Sequence, residues 1–205
     1  MIEFFFDCSS PWTYLAFHNI QPLAAELNEP IEWKPVLVGG IFNSVNPSVY
    51  AMREQAVSSK MNYMVKDLQD WAKLANLKIC MPPKVFPVNS VKAMRACLWL
   101  APQGKLVPFA TAVFEAYWSR EEDISQDDVL INICESLGID SKALLAGISH
   151  SQIKEQLKSN TEEAIQRGAF GSPTLFLGDD MYFGNDRLPL LRKAILKSRQ
   201  TSQAS

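Results

Sequence analysis

Ser10-Pro11-Trp12-Thr13 sets two hydroxyl side chains three positions apart where the chain turns from a strand pattern to a helix pattern. An apolar run from Ile2 to Phe6, closed by Asp7, precedes this stretch, and an amphipathic run from Tyr14 to Leu27 follows it. Pro11 suits the first helical position, because the N–H it lacks would find no acceptor there. Ser10 would then stand at a helix N-terminus, where free N–H groups and the positive end of the dipole stabilise an anion. Two cysteines at these positions would form a redox pair with a helix-lowered thiol pKa. Ser10 and Thr13 cannot form a disulfide. Taken alone, Ser10-Pro11 reads as a helix cap and nothing more; the chemistry open to the two hydroxyls is to hold a thiolate that a ligand brings.

Two more stretches carry unusual backbone signals. In Gly168-Ala169-Phe170-Gly171-Ser172-Pro173-Thr174-Leu175-Phe176 a proline leads into an apolar strand, which confines it to an edge, a first position or a bulge. A cis Ser172-Pro173 bond would leave the Ser172 backbone free to pair with an extended ligand, whereas a trans bond would only begin the strand. Phe183-Gly184-Asn185-Asp186-Arg187 precedes the last helical pattern and reads as a helix cap or as a polar anchor for a ligand. The four cysteines, Cys8, Cys80, Cys97 and Cys134, show no Cys-x-x-Cys or histidine-containing metal spacing, so neither a metal site nor a disulfide framework is expected. Cys8 lies two residues before Ser10, yet buried packing is its favoured reading over reactivity.

The elements that must position these residues follow in order. Ile2 to Asp7 is a central strand buried on both faces, Pro11 to Leu27 a helix, and Ile31 to Val38 a second strand ended by Gly39-Gly40. Asn43 to Val57 reads as an extended loop. Helices are predicted over Ser59 to Asn76, from Asn89 or Ser90 to Ala101, over Leu106 to Arg120, and from a Ser125/Asp128 capping box to Gly138. Two more cover Ser141 to Ile148 and Ser151 to Arg167. Thr174 to Leu177, a turn at Gly178-Asp179-Asp180, and Met181 to Phe183 form a hairpin. A last helix runs from Arg187 to Ser198. The expected architecture is α/β: a thioredoxin-like domain of residues 1–45 and 155–198, an all-helical domain of residues 46–154 inserted into it, and a flexible tail at 199–205.

Composition narrows the class of function. The 205 residues carry 47% hydrophobic side chains and a net charge of −2, which suits a well-filled core and gives no footprint for nucleic acid or an anionic membrane. No stretch approaches the roughly 20 apolar residues of a membrane span. The short N-terminal apolar run lacks a basic flank, so no signal peptide is read and a reducing, cytoplasmic setting is expected.

The three stretches together resemble the 2-hydroxychromene-2-carboxylate isomerases and the related kappa-class glutathione transferases, within the DsbA-like branch of thioredoxin folds. Trp33-Lys34-Pro35-Val36-Leu37, Gly40-Ile41-Phe42, Phe86-Pro87-Val88-Asn89-Ser90 and Phe114-Glu115-Ala116-Tyr117-Trp118 extend the resemblance along almost the whole chain. It implies glutathione as cofactor and Ser10 as the residue that activates its thiol. Ser172 and Pro173 would hold the cysteinyl backbone, Gly184, Asn185 and Asp186 the γ-glutamyl end, and Asn46 would lie near the sulfur. Trp12, Asn43 and Asn89 are the expected substrate contacts, and Asn43 stands where relatives usually carry a lysine. The resemblance further implies a small aromatic hydroxy- or keto-acid substrate and a homodimer. A kappa-like transferase or peroxidase is the alternative reading, and a redox-inactive thioredoxin-like binding module is a second.

Overall fold

Alternation along the first strand decides how the sheet is covered. In β1 (Ile2–Phe6), Ile2, Phe4 and Phe6 enter the larger apolar cluster, whereas Phe5 enters a smaller one with Val36, Ile41, Ala164 and Phe176. Successive strand side chains point to opposite faces, so a strand buried on both faces reads as a continuous apolar run. The structure, a computed structural model, describes residues 1–54 and 57–203. Its one sheet has the order β2-β1-β3-β4: β1 is parallel to β2 (Ile31–Pro35) and antiparallel to β3 (Thr174–Leu177), which pairs with β4 (Asp180–Phe183). That is the expected thioredoxin-like arrangement, with a β-α-β unit and a β-hairpin sharing one sheet.

Helix α1 (Pro11–Glu26) crosses from β1 to β2 on the side of the larger cluster. After β2 come α2 (Val38–Val45), α3 (Ser48–Glu54), α4 (Ser58–Leu74), α5 (Val91–Leu100) and α6 (Leu106–Phe114). A π-helical turn (Glu115–Ser119) extends α6 and buries Tyr117 and Trp118, then α7 (Asp127–Ser136), α8 (Ser141–Gly147) and α9 (Ser151–Gln166) lead back to β3. The chain closes with a 3-10 turn (Asn185–Arg187) and α10 (Leu188–Gln203). The larger cluster contains Phe4 and Phe6 of the sheet, Tyr14 and Phe17 of α1, and Phe109, Phe114, Trp118 and Ile133 of the inserted helices. Sheet and inserted helices therefore share one continuous core.

On the opposite face α9 is held by charge. Arg167 grips Glu3 through two bonds of 2.9 and 2.8 Å, and Lys34 reaches Glu3 and Glu163 at 2.7 Å each. The Arg167 guanidinium also lies 3.8 Å from the centre of the Phe176 ring, so its flat face covers the apolar cluster while its edge binds carboxylate.

Four expectations change. Gly39-Gly40 does not end a strand in open chain but lies inside α2, and Asn43 to Glu54 is mostly helical instead of an extended loop. Gln55 and Ala56, also in that expected loop, lie outside the described residues. The Ser125/Asp128 capping box does not form, because the Ser125 N–H and hydroxyl both turn back to Asp123 and Gln126 precedes α7. Helix α10 continues to Gln203 through most of the expected flexible tail, whose last two residues lie outside the described ones.

Candidate functional site

Ser10 caps α1 as its sequence context requires. Its Oγ accepts the Thr13 N–H at 3.2 Å and donates to the Ser172 carbonyl at 3.0 Å. Of the first-turn amides, Pro11 has none, Thr13 is capped by Ser10, and the Tyr14 N–H reaches the Ser10 carbonyl at 3.1 Å. The Trp12 N–H, one of the first-turn donors that a helix leaves without an intrahelical acceptor, lies at the positive end of the helix, two residues from Ser10. An anion at this point would meet the Trp12 N–H and, once the Ser10 hydroxyl turned away from the Ser172 carbonyl, an O–H donor as well. Trp12 itself is partly buried against the core.

A buried hydroxyl pair fastens α1 to the proline turn. Thr13 Oγ1 and Ser172 Oγ are 2.8 Å apart, and Ser172 Oγ also accepts the Asp7 N–H at 3.1 Å. Thr13 is fully buried and Ser172 is 7% exposed, so this pair is satisfied by protein alone. The Ser172-Pro173 bond is cis, as the sequence suggested. The Pro173 carbonyl accepts the Gly184 N–H at 3.2 Å, which draws the third stretch alongside the second. Gly184 has φ of 97°, in the region that favours glycine, and a Cβ there would sit 2.9 Å from Asp186 Oδ1.

Beyond Gly184 the polar groups divide between interior and solvent. Asn185 is 4% exposed, with Oδ1 accepting from Asn19 Nδ2 at 2.9 Å and its own Nδ2 without a partner. Asp186 is exposed and paired with Arg187 at 2.7 Å. Two other expected contacts are engaged locally. Asn46 Nδ2 donates to the Phe170 carbonyl at 3.1 Å, tying the end of α2 to the turn before Ser172. Asn43 Oδ1 accepts the Tyr50 hydroxyl at 2.8 Å, with the Tyr50 ring edge-on to Phe42. Asn89 is exposed and caps the start of α5 through the Val91 N–H at 3.0 Å. The structure thus brings Ser10, Ser172, Pro173 and Gly184 into one bonded network, sets Asn185 and Asp186 beside it, and attaches Asn46 through Phe170.

Sequence reasoning missed Asp7 and Asn19 as parts of this network. Asp7 is 1% exposed, and its two carboxylate oxygens accept the N–H groups of Ser9 at 2.9 Å and Val38 at 2.8 Å. Burial pushes its pKa up, against the lowering effect of the bonds from Ser9, Val38 and Ser90. An acidic residue closing an otherwise apolar strand was the signal that could have found it. Cys8 is fully buried, and loss of hydration raises its thiol pKa well above the ordinary value, so it is no nucleophile at neutral pH. All four cysteines are free.

The fold and the hydroxyl-bearing helix start define a thioredoxin-like protein without the redox pair. Residues 1–196 match the family described as DSBA-like thioredoxin domain. The chain is 31% identical to 2-hydroxychromene-2-carboxylate isomerase of Pseudomonas sp. (strain C18), covering 95% of this chain and 90% of that protein. It is 27% identical to glutathione S-transferase kappa 1 of Rattus norvegicus, covering 93% and 88% respectively. A solved structure of a 2-hydroxychromene-2-carboxylate isomerase superposes with a TM-score of 0.84 at 28% identity, covering 100% of this chain and 98% of that one. The chain belongs to the DsbA-like thioredoxin family, in its 2-hydroxychromene-2-carboxylate isomerase branch. No described helix is long and apolar enough to cross a membrane.

Proposed function

We propose that the chain is a glutathione-dependent isomerase that interconverts 2-hydroxychromene-2-carboxylate and trans-o-hydroxybenzylidenepyruvate, or a close aromatic analogue. The observation that carries this reading is the Ser10 hydroxyl at the start of α1, bonded to the cis Ser172-Pro173 turn. Relatives support its two halves, since one group is named for the isomerisation and the other for glutathione.

The residues present fit glutathione. The unpartnered Asn185 Nδ2 and the exposed Asp186 carboxylate stand beside the turn, one a donor for a carboxylate and the other an acceptor for an ammonium group. Glutathione held there would supply a thiolate, the nucleophile suited to reversible addition to a conjugated ketone. Ser10 stabilises and aims that thiolate, which requires its one hydroxyl proton to leave the Ser172 carbonyl. Ser172 and Pro173 present backbone groups to the cysteinyl unit, and Asp186 holds the far end. The protein's contribution is lowering of the thiol pKa and positioning. In this reading the chain works in the cytoplasm as a homodimer.

Asn43 favours a second reading. It forms a neutral pair with Tyr50, where a cation would suit a substrate carboxylate. A kappa-like transferase acting on an uncharged electrophile would need no such cation. Isomerisation of the hydroxychromene carboxylate, followed by absorbance with and without glutathione, tests the first reading, with conjugation of 1-chloro-2,4-dinitrobenzene run in parallel. Isomerisation that requires glutathione upholds the isomerase; conjugation without isomerisation replaces it by the transferase.

A further inference from the structure

We propose that Asp7 is the positioning residue of this site: its buried carboxylate ties the start of α2 to the strand end beside Ser10, and the site is fully assembled when that carboxylate is ionised. What is being positioned rests on the thiolate-binding reading above; the positioning itself rests on geometry. Val38, whose N–H meets Asp7 at 2.8 Å, is the first residue of α2, and Leu37 before it offers no side-chain cap. Asp7 therefore supplies from β1 the acceptor that a serine or aspartate would ordinarily supply at the cap position. Ser90, whose hydroxyl lowers the Asp7 pKa, is the residue that precedes α5. The Asp7 backbone serves the site as well: its N–H holds Ser172 Oγ at 3.1 Å, and its carbonyl accepts the Ser10 N–H at 3.3 Å.

One residue thus touches the Ser10 turn, the cis-proline turn and the start of α2. Helix α2 transmits that hold outward, because Asn46 at its far end is bonded to the Phe170 carbonyl. Protonation would set a hydrogen on one of two oxygens that each receive an N–H, and would weaken one of those bonds. Loss of hydration raises the carboxyl pKa, so this change falls above the ordinary aspartate value of about 3.9. Cys8 and Tyr117 are the titratable groups that act on Asp7, and burial raises both, so both stay neutral through the acid range. Cys97 on α5 faces Cys8, and Lys92 on α5 is held by Asp127 at 2.7 Å. Helix α2 carries no titratable side chain.

The test follows the Asp7 carboxyl carbon and the Val38 amide of the wild-type chain by NMR against pH, alongside the pH profile of kcat/KM. The carboxyl and the Val38 amide are expected to titrate together, and kcat/KM to fall on acidification with the same apparent pKa. Ser90→Ala removes a donor that favours the ionised form and should move both midpoints to higher pH. Asp7→Asn should remove the acid limb and lower kcat/KM on the order of 10-fold, the effect of one lost charged bond, while calorimetry shows glutathione affinity near that of wild type. A Val38 amide that ignores the Asp7 titration, or an acid limb unmoved by Ser90→Ala, overturns the proposal. Should Asp7→Asn not fold, those two measurements still decide. If wild type binds no glutathione, the functional reading fails while the NMR titration still judges Asp7.

Discussion

Ser172→Ala removes the hydroxyl that two buried polar groups share. Its Oγ accepts the Asp7 N–H at 3.1 Å and pairs with Thr13 Oγ1 at 2.8 Å, and Asp7 and Thr13 are 1% and 0% exposed. Water cannot take over either bond. Stranding a buried polar group costs about 1–3 kcal/mol, so two of them give a loss of about 2–6 kcal/mol. In a chain of this size each kcal/mol lowers Tm by about 2–4 °C, for a fall of roughly 4–24 °C. Thr13→Val keeps the shape and removes one partner of the pair, leaving Ser172 Oγ its bond from Asp7, and should cost only about 1 kcal/mol. Urea denaturation of both single variants and of the double variant closes a thermodynamic cycle. The double variant should lose less than the sum, by about 1 kcal/mol, because the stranded Thr13 hydroxyl is gone. Strict additivity, with Ser172→Ala costing under about 0.5 kcal/mol, would refute the buried network.

Ser10→Ala should lower kcat by about 10- to 150-fold, the equivalent of a charge-assisted bond of about 1.5–3 kcal/mol; full kcat in steady-state assays would reduce Ser10 to a helix cap. Asp186→Ala should raise the KM for glutathione on the order of 10-fold and leave kcat much less affected, because uniform binding is what it removes; a loss confined to kcat would contradict its remote placement. Glu3→Gln tests the charge cluster under α9. The bond from Arg167 leads the effects that hold the Glu3 pKa below its ordinary value, with burial opposing and Lys34 assisting, so its stabilisation is present above the unfolded pKa and lost as pH falls through the folded one. The variant should be less stable than wild type at pH 7, with the gap closing below about pH 4 in denaturation curves; a pH-independent gap would refute the assignment.

The sequence made the local parts of this molecule legible. The Ser10 cap, the Pro11 start and the hairpin from Thr174 to Phe183 follow from cap chemistry, strand composition and one turn signal, and all three stand as read. Helices α2 and α3 were hidden because Gly39-Gly40 and Asn46-Pro47 resemble chain breakers, while the acceptor for the start of α2 comes from Asp7, 31 positions earlier. The hydroxyl pair spans 159 positions, so no local pattern could show that Thr13 serves Ser172. Ser125 has the spacing of a cap, but the nearer Asp123 takes its donors. Asn43 and Asn46 stood out in the sequence as polar residues, but not as partners of Tyr50 and Phe170, since those bonds depend on where α2 ends.

The central claim is that the start of α1 ionises a ligand thiol. Thiolate absorbance of the glutathione complex, followed against pH, measures this directly. The Ser10 O–H and the Trp12 N–H should bring the midpoint below the free-thiol value of about 8.5, and Ser10→Ala should return it toward that value. A complex that titrates like free glutathione would contradict the account.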